Sequence, residues 1–232
     1  MVAVTGFTPS SRGLRFPNRW PKAAAFTVKV LGRDIEVGNA QKGLCGGMVF
    51  AVRDYFEHGL PRPEDTTAPA SGPLYTYIGR RLKESFDLPL GPTKYLDYMA
   101  APAGDKGIPI LKWIIGPSVR GVAWRTIHDE LPKITADIDS GHLSCIGLVF
   151  ATGIDPADLG QNHQVLAYRY ERDNDEMRVW VYDPNRPLDD NIFLHFSLKR
   201  PSNPTPIMFV NGSKDVRAFF RVAYQPSQPP TA

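Results

Sequence analysis

Cys45 stands in "NAQKGLCGGMVFAVRDYF" (residues 39–56), within a run of glycines and directly ahead of an apolar pattern. The nucleophilic form of cysteine is the thiolate, and the partial positive charge of a helix N-terminus favours it. Met48, Val49, Val52, Tyr55 and Phe56 recur at helical spacing. Cys45 is therefore predicted in the first turn of a helix running to about His58, stopped by Gly59 and Pro61. Gly43, Gly46 and Gly47 carry no side chains, which predicts that a substrate backbone approaches the sulfur closely. The plainer reading is a small buried thiol beside a glycine turn.

A sulfur nucleophile needs a base. Of the five histidines, His58 reads as a helix cap, His128 lies in a mixed helix, His142 follows Gly141 in a turn, and His195 sits inside a strand pattern. His163 differs because it opens a strand, in "GQNHQVLAYRY", and strand ends beside loops commonly hold catalytic side chains. The segments "HQVLAYRYE" and "EMRVWVYD" are joined by "RDND", a hairpin signature. A turn centred on Asp173 pairs His163 with Asp183, and one centred on Asn174 pairs it with Asn185. Either residue could orient the imidazole and fix its tautomer; Asp183 would also stabilise an imidazolium. Pro184 biases Asp183 toward an extended conformation and offers no N–H to a sheet. Asp183 is therefore expected to end the strand and orient His163, with Asn185 as the alternative. Read alone, "DPN" is simply a turn at a strand end.

The elements that must position these residues fall into two groups. A hairpin is predicted over "AFTVKVLGRDIEV" (25–37), with its turn near Gly32 and Arg33. Helices are predicted from Cys45 and again from Pro73, with Leu74, Tyr77, Ile78, Leu82 and Phe86 on one face. "VAWRTIHDELPKITADIDSG" reads as a helical stretch broken near Pro132 and ended by Gly141. From "LSCIGLVF" onward the segments read as strands. Helices first and strands afterwards imply an α+β fold rather than alternating βαβ units. Residues 1–25 read as an extended arm with "FPNRWP" as a rigid turn, and 226–232 as a disordered tail; residues 1–225 are expected to form one domain.

Composition narrows the function classes. The 232 residues include 27 basic and 24 acidic ones, with no basic run, so nucleic acid is not an expected partner. No apolar run reaches the ~20 residues of a membrane span, and the first residues lack the layout of a secretory signal; a cytoplasmic location is expected. Cys45 and Cys145, 100 positions apart, are read as reduced thiols. His and Cys lack the close paired spacing of metal ligands, and neither a metal nor an organic cofactor is expected.

"GLCGGMVFAVRDYF" resembles the nucleophile helix of papain-like cysteine peptidases, and "NHQVLAYRYERDNDEMRVWVYDPNRP" resembles the histidine block of their C39-like group. "AWRTIHDELPKITADIDSGHLSCIGLVF" is similar to the lead-in to that block. The resemblance covers roughly residues 39–56 and 122–187. "FPNRWP" and "GLCGGM" also resemble stretches of a bacterial and fungal branch, a likeness that brings no activity with it. The family resemblance implies a papain-like fold, with a nucleophile helix packed on a C-terminal antiparallel sheet. It implies Cys45 as nucleophile, His163 as general base and acid, Asp183 as orienter, and an oxyanion donor just upstream of the cysteine. The family usually places a Gln six residues before the Cys; here that position is Asn39, and Gln41 is only four before. Both are oxyanion candidates, beside the Cys45 backbone N–H.

The expected chemistry is hydrolysis of an amide bond in a peptide or protein through a thioester. The same triad also serves acyltransferases, transglutaminase-like crosslinkers and deamidases. A papain-like shell retained as a non-catalytic binding module is the third reading. The 57–121 stretch is expected to build one wall of a cleft, with Tyr75, Tyr77, Tyr95, Tyr98 and Trp113 as core aromatics.

Overall fold

The computed structural model describes residues 1–20, 26–30, 33–37, 43–86, 90–102, 120–199 and 207–231. In chain order the elements are β1 (Val2–Ala3), α1 (Pro9–Arg12), β2 (Phe26–Val30), β3 (Arg33–Val37), α2 (Cys45–Glu57), α3 (Pro73–Ser85) and α4 (Leu90–Ala100). There follow α5 (Val122–Trp124), a π-helical stretch (Arg125–Glu130), α6 (Leu131–Asp139), β4 (Ser144–Val149), a 3₁₀ stretch (Pro156–Gln161), β5 (His163–Asp173), β6 (Glu176–Tyr182), β7 (Phe193–Ser197), β8 (Met208–Val210) and β9 (Ala218–Arg221). The fold is α+β. One antiparallel sheet runs in the order β8-β7-β6-β5-β4-β9, with β1 pairing the far half of β5, and β2 with β3 forms a separate hairpin whose turn lies outside the described residues.

β4 is buried along its whole length because its apolar run is covered on both sides. α2 packs against β5, and α6 packs against β4, β5 and β9. α2 is correspondingly buried all round: every residue from Gly46 to Tyr55 is buried, Arg53 and Asp54 included. Around Pro132 the helical stretch is continuous, contrary to the expected break. The helix widens to a π-turn just before the proline, where the Leu131 N–H reaches the Thr126 carbonyl, so the missing proline N–H falls in the first turn of α6. Gly141 then ends the helix with φ +83°.

The β5–β6 hairpin turns on Asn174 and Asp175, pairing Asp173 with Glu176, so neither expected turn centre holds at the tip. Asn174 supplies the positive φ, 52°, that a tight two-residue turn needs. A register shift between Ala167 and Arg169 then moves the pairing, which continues as Ala167 with Val181 and Leu166 with Tyr182.

The tail, expected to be disordered, runs along α2 and α3 as far as Pro230. Prolines leave its carbonyls without internal partners, and side chains of the helices satisfy them: Tyr77 donates to the Ser227 carbonyl (2.9 Å), Arg81 to that of Gln225 (2.8 Å) and Tyr55 to that of Pro230 (2.8 Å). Beneath it the fully buried Asp54 pairs with Arg81 Nε at 2.8 Å and accepts from the Tyr224 hydroxyl at 2.6 Å.

Candidate active site

Three elements meet at Cys45. The cysteine is the first residue of α2 and is partly exposed. His163 is the first residue of β5, held opposite Leu148 of β4. Asp183 is the residue directly after β6, where Pro184 stops the ladder. His163 Nε2 lies 2.7 Å from Asp183 Oδ1, with their side chains 8% and 2% exposed. The Cys45 sulfur lies near enough to the imidazole for each group to shift the other's pKa. The structure thus brings Cys45, His163 and Asp183 together, with a hydrogen bond joining His163 to Asp183.

Charge distribution follows from that arrangement. Burial raises the Cys45 pKa, but the imidazolium charge and hydrogen bond of His163, with the backbone N–H groups of Gln164 and Gly46, outweigh burial and hold it below the ordinary thiol value. Burial works against a charged His163 as well; the charges of Asp183 and Cys45 overcome it and push its pKa up to about 10. Asp183, whose burial alone would raise its pKa, is held low by His163 and by the Asn185 N–H, which reaches Asp183 Oδ1 at 2.8 Å. Each of these shifts favours a thiolate–imidazolium pair steadied by a carboxylate. The second sulfur contrasts with the first: Cys145 is wholly buried in β4, and burial pushes its pKa up to about 11 in spite of Arg53, whose Nη1 is 4.0 Å away.

Asn185 takes a lesser place than Asp183. Its Nδ2 lies 3.4 Å from His163 Nε2, while its peptide N–H closes the turn onto Asp183. Asn39 and Gln41, the two oxyanion candidates, lie outside the described residues, as does Trp113. The other histidines stand apart from the site. His58 Nδ1 meets the Asp54 carbonyl at the end of α2, His142 faces Glu57, His195 faces Glu176 across the sheet, and the exposed His128 stacks on Trp124.

The glycines beside Cys45 need a different explanation from the expected one. They serve packing rather than substrate approach. A Cβ on Gly47 would collide with the Ile78 carbonyl of α3, and one on Gly46 with Ser85 Oγ and the Gln164 side chain. "CGG" is thus the seam along which α2 lies close against α3. Two polar residues that sequence reasoning passed over also reach the site. Gln164 is buried beneath it, with Nε2 3.4 Å from Ser85 Oγ. Asn18, from the N-terminal arm, accepts the Leu44 peptide N–H at 2.7 Å. A strand-adjacent Gln gives no distinctive signal, and an Asn between two prolines reads as turn chemistry.

Among the described residues no group of three or more His, Cys, Asp or Glu is placed to hold a metal ion, and no helix is long and apolar enough to cross a membrane. No family model matches the chain, and neither a curated protein nor a solved structure matches it.

Proposed function

We propose that the chain is a thiol-dependent hydrolase of amide bonds in peptides or proteins, built in the papain-like manner. The supporting observation is the convergence of Cys45, His163 and Asp183, in which His163 Nε2 is 2.7 Å from the carboxylate and the imidazole lowers the pKa of the Cys45 thiol. A side chain kept only for packing does not need a buried carboxylate to charge its imidazole partner.

In this reading Cys45 Sγ attacks the substrate carbonyl carbon, forming the C–S bond as the carbonyl π electrons move onto oxygen. That oxygen faces the start of α2, where the Cys45 N–H belongs to the first turn, whose N–H groups have no partner within the helix. The imidazolium of His163 gives its proton to the departing amine as the C–N bond breaks, leaving a thioester. Neutral His163 then takes a proton from water, whose oxygen attacks the thioester carbon. The thiolate leaves, the acid is released, and the imidazolium–thiolate pair is restored. Asp183 keeps the imidazole oriented and favours its charged form throughout.

The test is labelling with a limiting amount of iodoacetamide at neutral pH, followed by a peptide library. Modification should fall on Cys45 and spare Cys145, and new amino termini should appear only with unlabelled protein. Equal modification of the two cysteines would sink the reading. Incorporation of an added amine without new amino termini would move it to acyl transfer.

A further inference from the structure

Asn18 contacts both halves of the site from a segment outside either of them. Its Oδ1 accepts from the Leu44 peptide N–H at 2.7 Å and from the Trp20 indole N–H at 2.9 Å. Leu44 is the N-cap position of α2 and has no side-chain oxygen with which to cap it, so an amide 26 positions earlier supplies an acceptor there. The Asn18 backbone N–H donates to the Pro184 carbonyl at 2.8 Å, in the loop that carries Asp183. Its Nδ2 lies 3.4 Å from Asn185 Oδ1, and Asn185 Nδ2 lies 3.4 Å from His163 Nε2.

The surroundings hold this amide in place. Trp20 is 4% exposed and packs edge-on against Phe16 with ring centroids 5.8 Å apart. Gly43 gives it room: a Cβ there would collide with the Asn18 amide. The first glycine of "GLCGG" is therefore accounted for by Asn18.

We propose that Asn18 is a positioning residue of the Cys45 site. Through Leu44 it sets where the nucleophile helix begins, and through Pro184 and Asn185 it sets where the acid-bearing loop lies, so it fixes the separation of Cys45 from the His163–Asp183 pair. The proposal rests on the reading of Cys45 as a nucleophile paired with His163. Misplacing reacting groups by about 1 Å costs on the order of 100-fold in rate, so a residue that touches no substrate can still govern turnover.

The test measures Cys45 alkylation by iodoacetamide across pH, together with peptide turnover, in the full chain. Wild type should show a thiol inflection below about 8.5. Asn18→Ala should raise that inflection by about one pH unit or more and cut turnover about 10- to 100-fold. Asn18→Asp keeps an oxygen for Leu44 and Trp20, and should restore the inflection and most of the turnover. Gly43→Ala, which pushes the amide off Leu44, should behave like Asn18→Ala and serves if that variant does not fold. A low wild-type inflection left unmoved by Asn18→Ala or Gly43→Ala would overturn the positioning role, as would a folded Asn18→Asp that restores nothing. A wild-type inflection already near 8.5 would instead remove the nucleophile reading itself, and this proposal with it.

Discussion

Asp183→Asn preserves the size of the side chain and one acceptor oxygen while removing a negative charge 2.7 Å from His163 Nε2. At that distance, with an effective dielectric constant of about 20, a pair of unit charges interacts by about 6 kcal/mol. A neutral hydrogen bond of about 1 kcal/mol survives the change, and breaking a buried pair by removing one partner generally costs 3–5 kcal/mol. A loss of roughly 4 kcal/mol is about three pH units at 1.36 kcal/mol each. That is comparable with the displacement of His163 from 6.5 to about 10. Without Asp183 most of that displacement is lost, and the imidazole no longer stays fully charged at pH 7. Cys45 then loses part of its cationic support while its own burial still opposes the thiolate, leaving chiefly the N–H groups of Gln164 and Gly46 in favour of it. The Cys45 alkylation inflection should move from below the ordinary thiol value of about 8.5 to at or above it. Turnover at pH 7 should fall about 10²- to 10⁴-fold. Iodoacetamide rates from pH 5 to 10, read by peptide mass, measure the first effect, and a melting curve verifies folding. A folded Asp183→Asn protein whose inflection coincides with that of wild type would refute the electrostatic chain.

Raising the pH should separate two activities of the same sulfur. His163 carries its proton up to about 10, so turnover, which needs that proton for the leaving amine, should decline above this value, while Cys45 alkylation, which needs only the thiolate, should hold its plateau. Asn185→Ala should reduce turnover by less than about tenfold, far less than Asp183→Ala, because its peptide N–H to Asp183 is kept and only a side chain 3.4 Å from Nε2 is lost; the reverse ranking in folded proteins would reassign the orienter. Asp54→Ala leaves the Arg81 guanidinium, itself 1% exposed, without its buried carboxylate. Urea unfolding should show a loss of about 3 kcal/mol, toward the low end for a broken buried pair because Glu84 and the Gln225 carbonyl still engage Arg81.

Elements whose residues face neighbours of one kind were legible from periodicity. The apolar spacing from Met48 to Phe56, the Pro73 helix start and the alternating strands each report a local burial pattern, and the structure places α2, α3 and the β5–β6 hairpin there. What escaped was set by backbone detail around a proline or by distant chain. The Leu131 N–H finds its partner at Thr126 only because the helix widens ahead of a proline. The tail is tied down by Tyr77, Arg81 and Tyr55, none of which its own composition of Pro, Ser and Gln announces. The glycines of "CGG" invited a substrate because a missing side chain looks the same whether a ligand or another helix fills the space, and here α3 fills it.

The site was more legible than the register that first suggested it. Counting outward from a turn on Asp173 placed His163 opposite Asp183, yet the tip pairs Asp173 with Glu176 and the shift beyond Ala167 leaves Leu166 opposite Tyr182. Continued regularly, that pairing would set His163 opposite Asn185, the alternative residue. Asp183 reaches the imidazole because the ladder does not continue. β6 ends at Tyr182, Pro184 supplies no N–H, and the Asn185 N–H turns back onto Asp183 Oδ1 at 2.8 Å. The same Asp-Pro-Asn chemistry that read as an ordinary turn is what presents the carboxylate. Pairing arithmetic fails wherever a bulge intervenes, whereas turn chemistry depends on three adjacent residues and survives it. Asn18 marks the opposite limit: its bond to the Leu44 N–H spans 26 positions and follows from no local rule. Only the arm's return across the start of α2 reveals what the asparagine does.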